Sequence, residues 1–448
     1  MLFTTDKQTQ EDLNIYGKQG TDSILSLFNR TLTVNGSKLL EEMFMHPLSD
    51  AIAINGRSEK INYLKTIKAV FPFSSELFDQ IEQYLANTDE RTKLSGEKPS
   101  LEKKLTSLVV VDADYKLITG GISALIEITQ QLNSLVKNTL LLAGSPFKTD
   151  DDTTRLYALL SAEPINLLLQ ENPKQKLRHE KLAAYDAVLR FRHRETVRQI
   201  LKYVYKLDVY ISIAKVAAER NMVFGKALAK EKQVISIDRF YHPQLKNAVA
   251  NSIHINPNSN VIFLTGANMA GKSTFMKSLG IAMYLAHMGL PVAAKKMEFA
   301  VLDGIYTTIN LPDNLGIGVS HFYAEVLRIK KIAKELSSGR NIFVIFDELF
   351  RGTNVKDAYE ATIAITTAFA KKQKSVFVIS THIIETAGVL KSQANISFKY
   401  LPTRMNQNKP EYTYTLEEGI TDDRHGMIII NNERILELLK KRKEPTTK

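Results

Sequence analysis

The stretch Val261-Ile-Phe-Leu-Thr-Gly-Ala-Asn-Met-Ala-Gly-Lys-Ser-Thr274 decides how this chain is read. A short apolar run, 261–265, leads into Gly266-x-x-x-x-Gly271-Lys272-Ser273, and an apolar helical pattern follows over 273–288. A strand feeding a glycine loop that opens a helix is the setting in which G-x-x-x-x-G-K-[ST] binds phosphate. Gly266 and Gly271 let the chain bend so that backbone N–H groups converge on phosphate oxygens. The helix that follows adds its positive N-terminal end. The spacing therefore makes Gly266, Ala267, Asn268, Met269, Ala270, Gly271, Lys272, Ser273 and Thr274 a candidate nucleotide loop. Lys272 reaches the β- and γ-phosphates, and Ser273 offers its hydroxyl to Mg²⁺.

Two further runs belong with it. Phe343-Val-Ile-Phe-Asp-Glu348 is an apolar strand ending in two carboxylates. Asp347 is placed to hold Mg²⁺ with Ser273, and Glu348 to orient and deprotonate an attacking water. Ser375-Val-Phe-Val-Ile-Ser380 is a third buried strand, and His382 just beyond it is placed to bond the γ-phosphate or the water. Glu348, His382 and Lys272 are the candidate catalytic residues. Helical patterns at 273–288, 320–337 and 357–371 alternate with these strands, which predicts a mainly parallel α/β sheet.

Upstream the pattern changes. Residues 1–95 and 101–145 read as helices with few breakers, and 174–222 as one or two long helices without Gly or Pro between Lys174 and Met222. Glycine and proline are scarce, 21 and 13 in 448 residues. The expected division is a helical domain over 1–232, an α/β nucleotide domain over 233–432 and a basic tail over 433–448. Cysteine is absent, which excludes disulfides, thiol nucleophiles and thiolate metal sites. The N-terminus carries no leader pattern and the longest apolar stretch is too short to span a bilayer, so a cytoplasmic chain without a membrane partner is expected.

The formal charge is +11. It divides as −3 over 1–150, +7 over 151–250 and +7 over 251–448. A basic middle and end suit a polyanion such as DNA. Arg190, Arg194, Arg198, Lys202 and Lys206 recur every four residues, either as a phosphate-facing stripe or as a solvated helix face.

These motifs together resemble the MutS mismatch-repair family, whose nucleotide domain is of the ABC type. Thr265 to Thr274 is similar to the family's T-G-P-N-M-G-G-K-S-T, with Asn268-Met269 as the telling pair. Asp347-Glu-Leu-Phe-Arg-Gly-Thr353 resembles D-E-x-x-R-G-T, and Ser380-Thr-His382 resembles A-T-H. Asp313 to Glu325 resembles D-D-L-x-x-G-x-S-T-F-x-x-E, and Tyr241-His-Pro243 resembles R-H-P. Residues 27–50 are similar to the start of the family's helical core and lever. The resemblance implies an ATP hydrolase and a homodimer with shared ATP sites, in which Ser320, Phe322 and Glu325 reach the partner's nucleotide and Asn268 senses the γ-phosphate. It implies a DNA-binding, nucleotide-switched protein of mismatch repair or recombination, with a mechanical or scaffold ATPase acting on proteins as the alternative. Four positions depart from the family pattern besides Ala270: Ala267 stands for its proline, Thr308 for the arginine of a T-R-x-G stretch, Phe350 for a glycine in the D-E loop, and Ala248 for an aromatic that stacks on adenine. Neither a mismatch-reading domain nor a clamp insertion is expected.

Overall fold

The computed structural model describes residues 3–17, 22–95, 110–172, 175–267, 269–309, 321–406, 409–421 and 434–440. The chain forms two compact units, each discontinuous in sequence. One comprises residues 1–27, 44–58 and 219–448, the other 28–43 and 59–218. The single boundary at 232/233 read from the sequence thus differs from the folded grouping, which draws two N-terminal segments into the larger unit. The tail beyond 440 lies outside the described residues.

The strands of the larger unit run β1 Val223–Phe224, β2 Lys226–Leu228, β3 Ile235–Phe240, β4 Asn251–Ile255, β5 Val261–Gly266, β6 Pro291–Val292, β7 Lys296–Ala300, β8 Gly304–Thr308, β9 Ile342–Phe346, β10 Val376–Ser380, β11 Ile396–Leu401, β12 Thr403–Asn406, β13 Lys409–Tyr412 and β14 Glu417–Glu418. The main sheet has the order β14-β11-β5-β10-β9-β8. All its pairings are parallel except that of β14 with β11. Strands β9 and β10 are buried along their whole length, and β5 is buried up to Gly266. This is why they read as continuous apolar runs: parallel strands covered on both faces have no polar side to show. Phe369, from the helix Val355–Ala370, stacks on Phe346 and Phe377 at centroid distances of 5.8 and 4.6 Å. Ile329, Ile332 and Leu336 bring the helix His321–Ser337 into the same core at helical spacing. The alternation of Val234-Ile-Ser-Ile237 reads as a strand and corresponds to β3; the sheet it belongs to, β2-β7-β3-β4, was not foreseen.

The end strand β8 is covered by the beginning of the chain. Thr4 pairs with Gly304, its N–H donating to Asp303 O at 2.8 Å while Ile305 N donates to Thr4 O at 3.0 Å. Thr307 N donates to Thr9 Oγ1 at 2.9 Å, and Asp12 Oδ2 accepts from Thr307 Oγ1 and Ile309 N. Asp6 pairs with Arg328 and Lys331. An open edge would otherwise offer unpaired backbone groups to another chain.

The other unit is helical. The helices Ser75–Ala86 and Val110–Leu135 pack against each other, and Asp208 of the helix Arg194–Glu219 accepts from Leu32 N, Thr33 N and Thr33 Oγ1. The basic stripe is not a continuous face of either expected kind. Arg190 is 1% exposed and its guanidinium pairs with Asp186 at 2.7 Å. Arg194 donates twice to Leu85 O, and Lys206 pairs with Asp152. Arg198 and Lys202 are exposed. A four-residue repeat on a helix of 3.6 residues per turn drifts about 40° per step, or about 160° from Arg190 to Lys206. A π-helical turn over Ala187–Arg192 shifts the first member further.

Adjacent glycines in the helix Val110–Leu135 give a direct test of this packing. A Cβ on Gly121 would lie 2.3 Å from Tyr84 Cβ, whereas one on Gly120 meets nothing closer than Gln80 Oε1 at 3.5 Å. Gly121→Ala is expected to destabilise by about 1–3 kcal/mol. Gly120→Ala is expected to stabilise by up to about 1 kcal/mol. Urea unfolding midpoints that shift the same way for both changes would contradict this packing.

Candidate functional site

The site lies at the carboxyl ends of β5, β9 and β10, the edge to which a parallel sheet delivers its loops. Gly266 closes β5 with φ +148°, and a Cβ there would stand 3.2 Å from Leu401 O on β11. Met269 has φ +69° and is 74% exposed, while Ala270 is buried and donates its N–H to Ala267 O at 3.2 Å. Gly271, at φ +97°, caps the helix Lys272–His287. A side chain at 271 would be both strained and obstructed, since its Cβ would lie 2.9 Å from Tyr414 Cδ1. Thr274 follows on the exposed side of the first turn.

Lys272 is buried, and its ammonium donates to Gly266 O at 2.7 Å and Ala267 O at 3.1 Å. Burial pushes its pKa down, opposed by the nearby carboxylates of Asp347 and Glu348. Asp347 is gripped from two sides: Ser273 Oγ donates to Oδ2, and Ser380 Oγ donates to Oδ1 at 2.6 Å. Its own N–H extends the pairing of β9 with β8 by donating to Thr308 O at 2.9 Å. Thr308 Oγ1 also accepts from Arg328 Nε at 3.2 Å, so an arginine from a neighbouring helix reaches the position where the family pattern has its own arginine.

Glu348 occupies left-handed backbone, φ +55°, and its N–H donates to Ser380 Oγ at 3.0 Å. Its carboxylate is bonded to His382 Nε2 and to Arg351 Nη1, the latter at 2.9 Å. The His382 hydrogen bond lowers the Glu348 pKa most; burial opposes it, and Arg351 and Lys272 add to the lowering. Glu348 is therefore ionised at neutral pH and held in one orientation, as a group that receives a hydrogen bond from water must be.

The structure thus brings Lys272, Ser273, Asp347, Glu348 and His382 together. Asn268 and Ser320 lie outside the described residues. Phe322 and Glu325, assigned by resemblance to a partner-facing segment, have contacts within the chain. Phe322 packs on Phe350 at 5.8 Å, and the Glu325 carboxylate, 6% exposed, accepts from Arg351 N at 3.3 Å. Sequence reasoning missed the role of Ser380, although that residue stands inside a quoted motif at the end of a buried strand. It also missed Arg351, three residues beyond Glu348, where i,i+3 spacing was the available signal.

Beside the loop is a cavity of about 200 Å³, lined among others by His242, Asn247, Ala248, Thr274, Phe275 and Tyr414. Ala248 does line it and contributes only a methyl group. Tyr414, from the segment between β13 and β14, supplies a ring at 45% exposure. No local feature of the sequence marked Tyr414.

A family model for MutS domain III matches residues 8–214, and one for MutS domain V matches residues 262–441. The DNA mismatch repair protein MutS of Petrotoga mobilis is 26% identical over 295 residues, covering 63% of this chain and 36% of that protein. That of Staphylococcus epidermidis is 25% identical over 397 residues, covering 86% and 44%. That of Persephonella marina is 28% identical over 274 residues, covering 59% and 31%. The matches span less than half the length of each of these relatives. Two domain matches in the same order as the helical and sheet-bearing parts, together with the motifs around Lys272 and Asp347, lead to one conclusion: the chain belongs to the MutS family.

Proposed function

We propose that this chain is a P-loop ATPase of the ABC-like kind that binds DNA and switches with its nucleotide, in mismatch repair or recombination. It works in the cytoplasm as a homodimer, each ATP site completed by Ser320 of the other copy. The observation that carries the reading is the clasp at Asp347, with Ser273 from the glycine loop on one oxygen and Ser380 from β10 on the other.

Mg²⁺ suits this place. Among the described residues no group of three or more His, Cys, Asp and Glu side chains could hold a metal by itself. Ser273 and Asp347 offer two hard oxygens next to the loop, and Mg²⁺ characteristically takes one or two protein ligands and completes its shell from phosphate and water. When bound it neutralises charge on the β- and γ-phosphate oxygens. Lys272 leaves the carbonyls of Gly266 and Ala267 to meet the phosphates. Glu348 holds the attacking water and takes its proton, with His382 and Arg351 fixing the carboxylate. The cavity beside Thr274 receives the base.

Lys272→Ala is expected to bring steady-state ATP turnover down to background, because the ammonium is the main countercharge within the loop. Undiminished turnover by the purified variant would refute the phosphate role. Glu348→Gln is expected to keep ATP binding and lose turnover by ~10²–10⁴-fold. Failure of that variant to bind ATP, or wild-type rates, would remove Glu348 from water activation.

One observation favours the second reading, a scaffold ATPase that acts on proteins. Three of the five cations in the stripe, Arg190, Arg194 and Lys206, are engaged within the chain. DNA binding therefore rests on the family and on charge elsewhere, such as Arg198 and Lys202. The expected result is binding to duplex, single-stranded or branched DNA whose log affinity falls with log salt at about −0.9 per duplex phosphate neutralised. Fluorescence anisotropy with and without ATP checks it. Absence of binding to all three at low salt would leave the scaffold reading.

A further inference from the structure

Asn251 opens β4 and is 8% exposed. Its side-chain amide behaves like a backbone unit in a sheet. Nδ2 donates to Tyr414 O at 2.9 Å, and Oδ1 accepts from Leu416 N at 2.7 Å. Nδ2 also reaches Val249 O at 3.5 Å. Both ends of the amide are thus committed within the chain, which leaves Asn251 little to offer the edge of a ligand although it lines the cavity.

The segment it grips is unusual. Tyr414 has φ +54°, a left-handed backbone that a side-chain-bearing residue adopts only where its surroundings impose it. That conformation lays the tyrosine ring over Gly271, where the phosphate loop meets the cavity. The other rings of the cavity are differently placed. Phe240 and Phe275 are almost fully buried and pack on each other at 5.3 Å, so they form part of the wall rather than a free face. His242 is only partly buried. With Ala248 contributing a methyl group, Tyr414 is the most exposed ring of the cavity among the described residues.

We infer that Asn251 is the positioning residue for the base end of this site: by bonding the backbone on both sides of Thr415, it holds the Tyr414 ring as the wall on which a nucleobase stacks. The inference rests on the nucleotide reading given above. It makes base affinity depend on hydrogen bonds outside the base's own contacts. Phosphate affinity, set by the loop and Lys272, does not depend on them.

The test compares ATP with inorganic tripolyphosphate, which lacks the base, as competitors for a fluorescent ribose-labelled ADP on the full chain. Asn251→Ala and Tyr414→Ala are each expected to weaken ATP by roughly tenfold, within the range of base–aromatic stacking. Tripolyphosphate affinity stays as in wild type, which also reports that the loop is folded. In turnover, KM for ATP rises while kcat holds, and Tyr414→Phe behaves as wild type. The double variant is expected to be no weaker than Tyr414→Ala alone, the mark of one residue acting through the other. Asn251→Asp keeps the acceptor for Leu416 N, loses the donor to Tyr414 O and gives the same ATP-selective loss. Additive losses in the double variant, or equal loss of tripolyphosphate, overturn the positioning role. A wild type that binds tripolyphosphate as tightly as ATP overturns it while leaving the phosphate loop standing. A wild type that binds neither overturns the nucleotide reading and this inference together.

Discussion

A carboxylate fixed by two hydroxyls, Ser273 and Ser380 on Asp347, is the constraint on which the rest of the site depends. Asp347 follows β9, Ser380 ends β10 and Ser273 lies in the first turn of the helix that the loop after β5 opens, so the geometry depends on strand register. Ile379 lies beside Phe346 and Ser380 beside Leu264, pairings chosen by apolar residues that never touch the site. A slip in either register would carry Asp347 away from Ser273 and Ser380. The polar arrangement is thus specified by the hydrophobic core, whose parallel strands leave their carboxyl ends on one edge. Glu348 depends on the same clasp, because its N–H is bonded to the Ser380 hydroxyl that holds Asp347.

The core strands were legible because burial on both faces removes ambiguity: 261–266, 342–346 and 376–380 fall within a residue or two of the apolar runs. The helices that follow them were legible from period and spacing. The second sheet was legible only at β3, where Val234 to Ile237 alternate. Its strands β2, β3, β4 and β7 are short and alternate in burial, and β2 pairs with β7 some 70 residues away, information no local pattern carries. The stripe at 190–206 failed for a different reason. Equal spacing was read as one drifting face, but the drift together with the π-turn is large enough to distribute the five cations between interior and surface.

Within the site, the residues found in advance are those whose chemistry is local: Lys272 and Ser273 in one loop, Asp347 and Glu348 at one strand end, His382 at another. Arg351 apart, those missed act through distant partners. Asn251 and Tyr414 are separated by 163 positions, and each is unremarkable alone. Phe350 shows how a departure from a pattern is accommodated. It holds left-handed backbone, φ +62°, where the family pattern has glycine, and its ring is 4% exposed against Phe322. Burial of a large ring offsets a conformation that costs of order 1–3 kcal/mol.

The pairing of Thr4 with Gly304 bears on the order of synthesis. Residues 3–15 are made about 300 positions before the strand they cover. At ordinary elongation rates of ~5–20 residues per second, the delay is roughly 15–60 s. Throughout it, Thr4, Thr9 and Asp12 lack the β8 groups that they bond in the finished protein. The larger unit consequently cannot close in chain order: a segment made well before β8 waits for it to find its place.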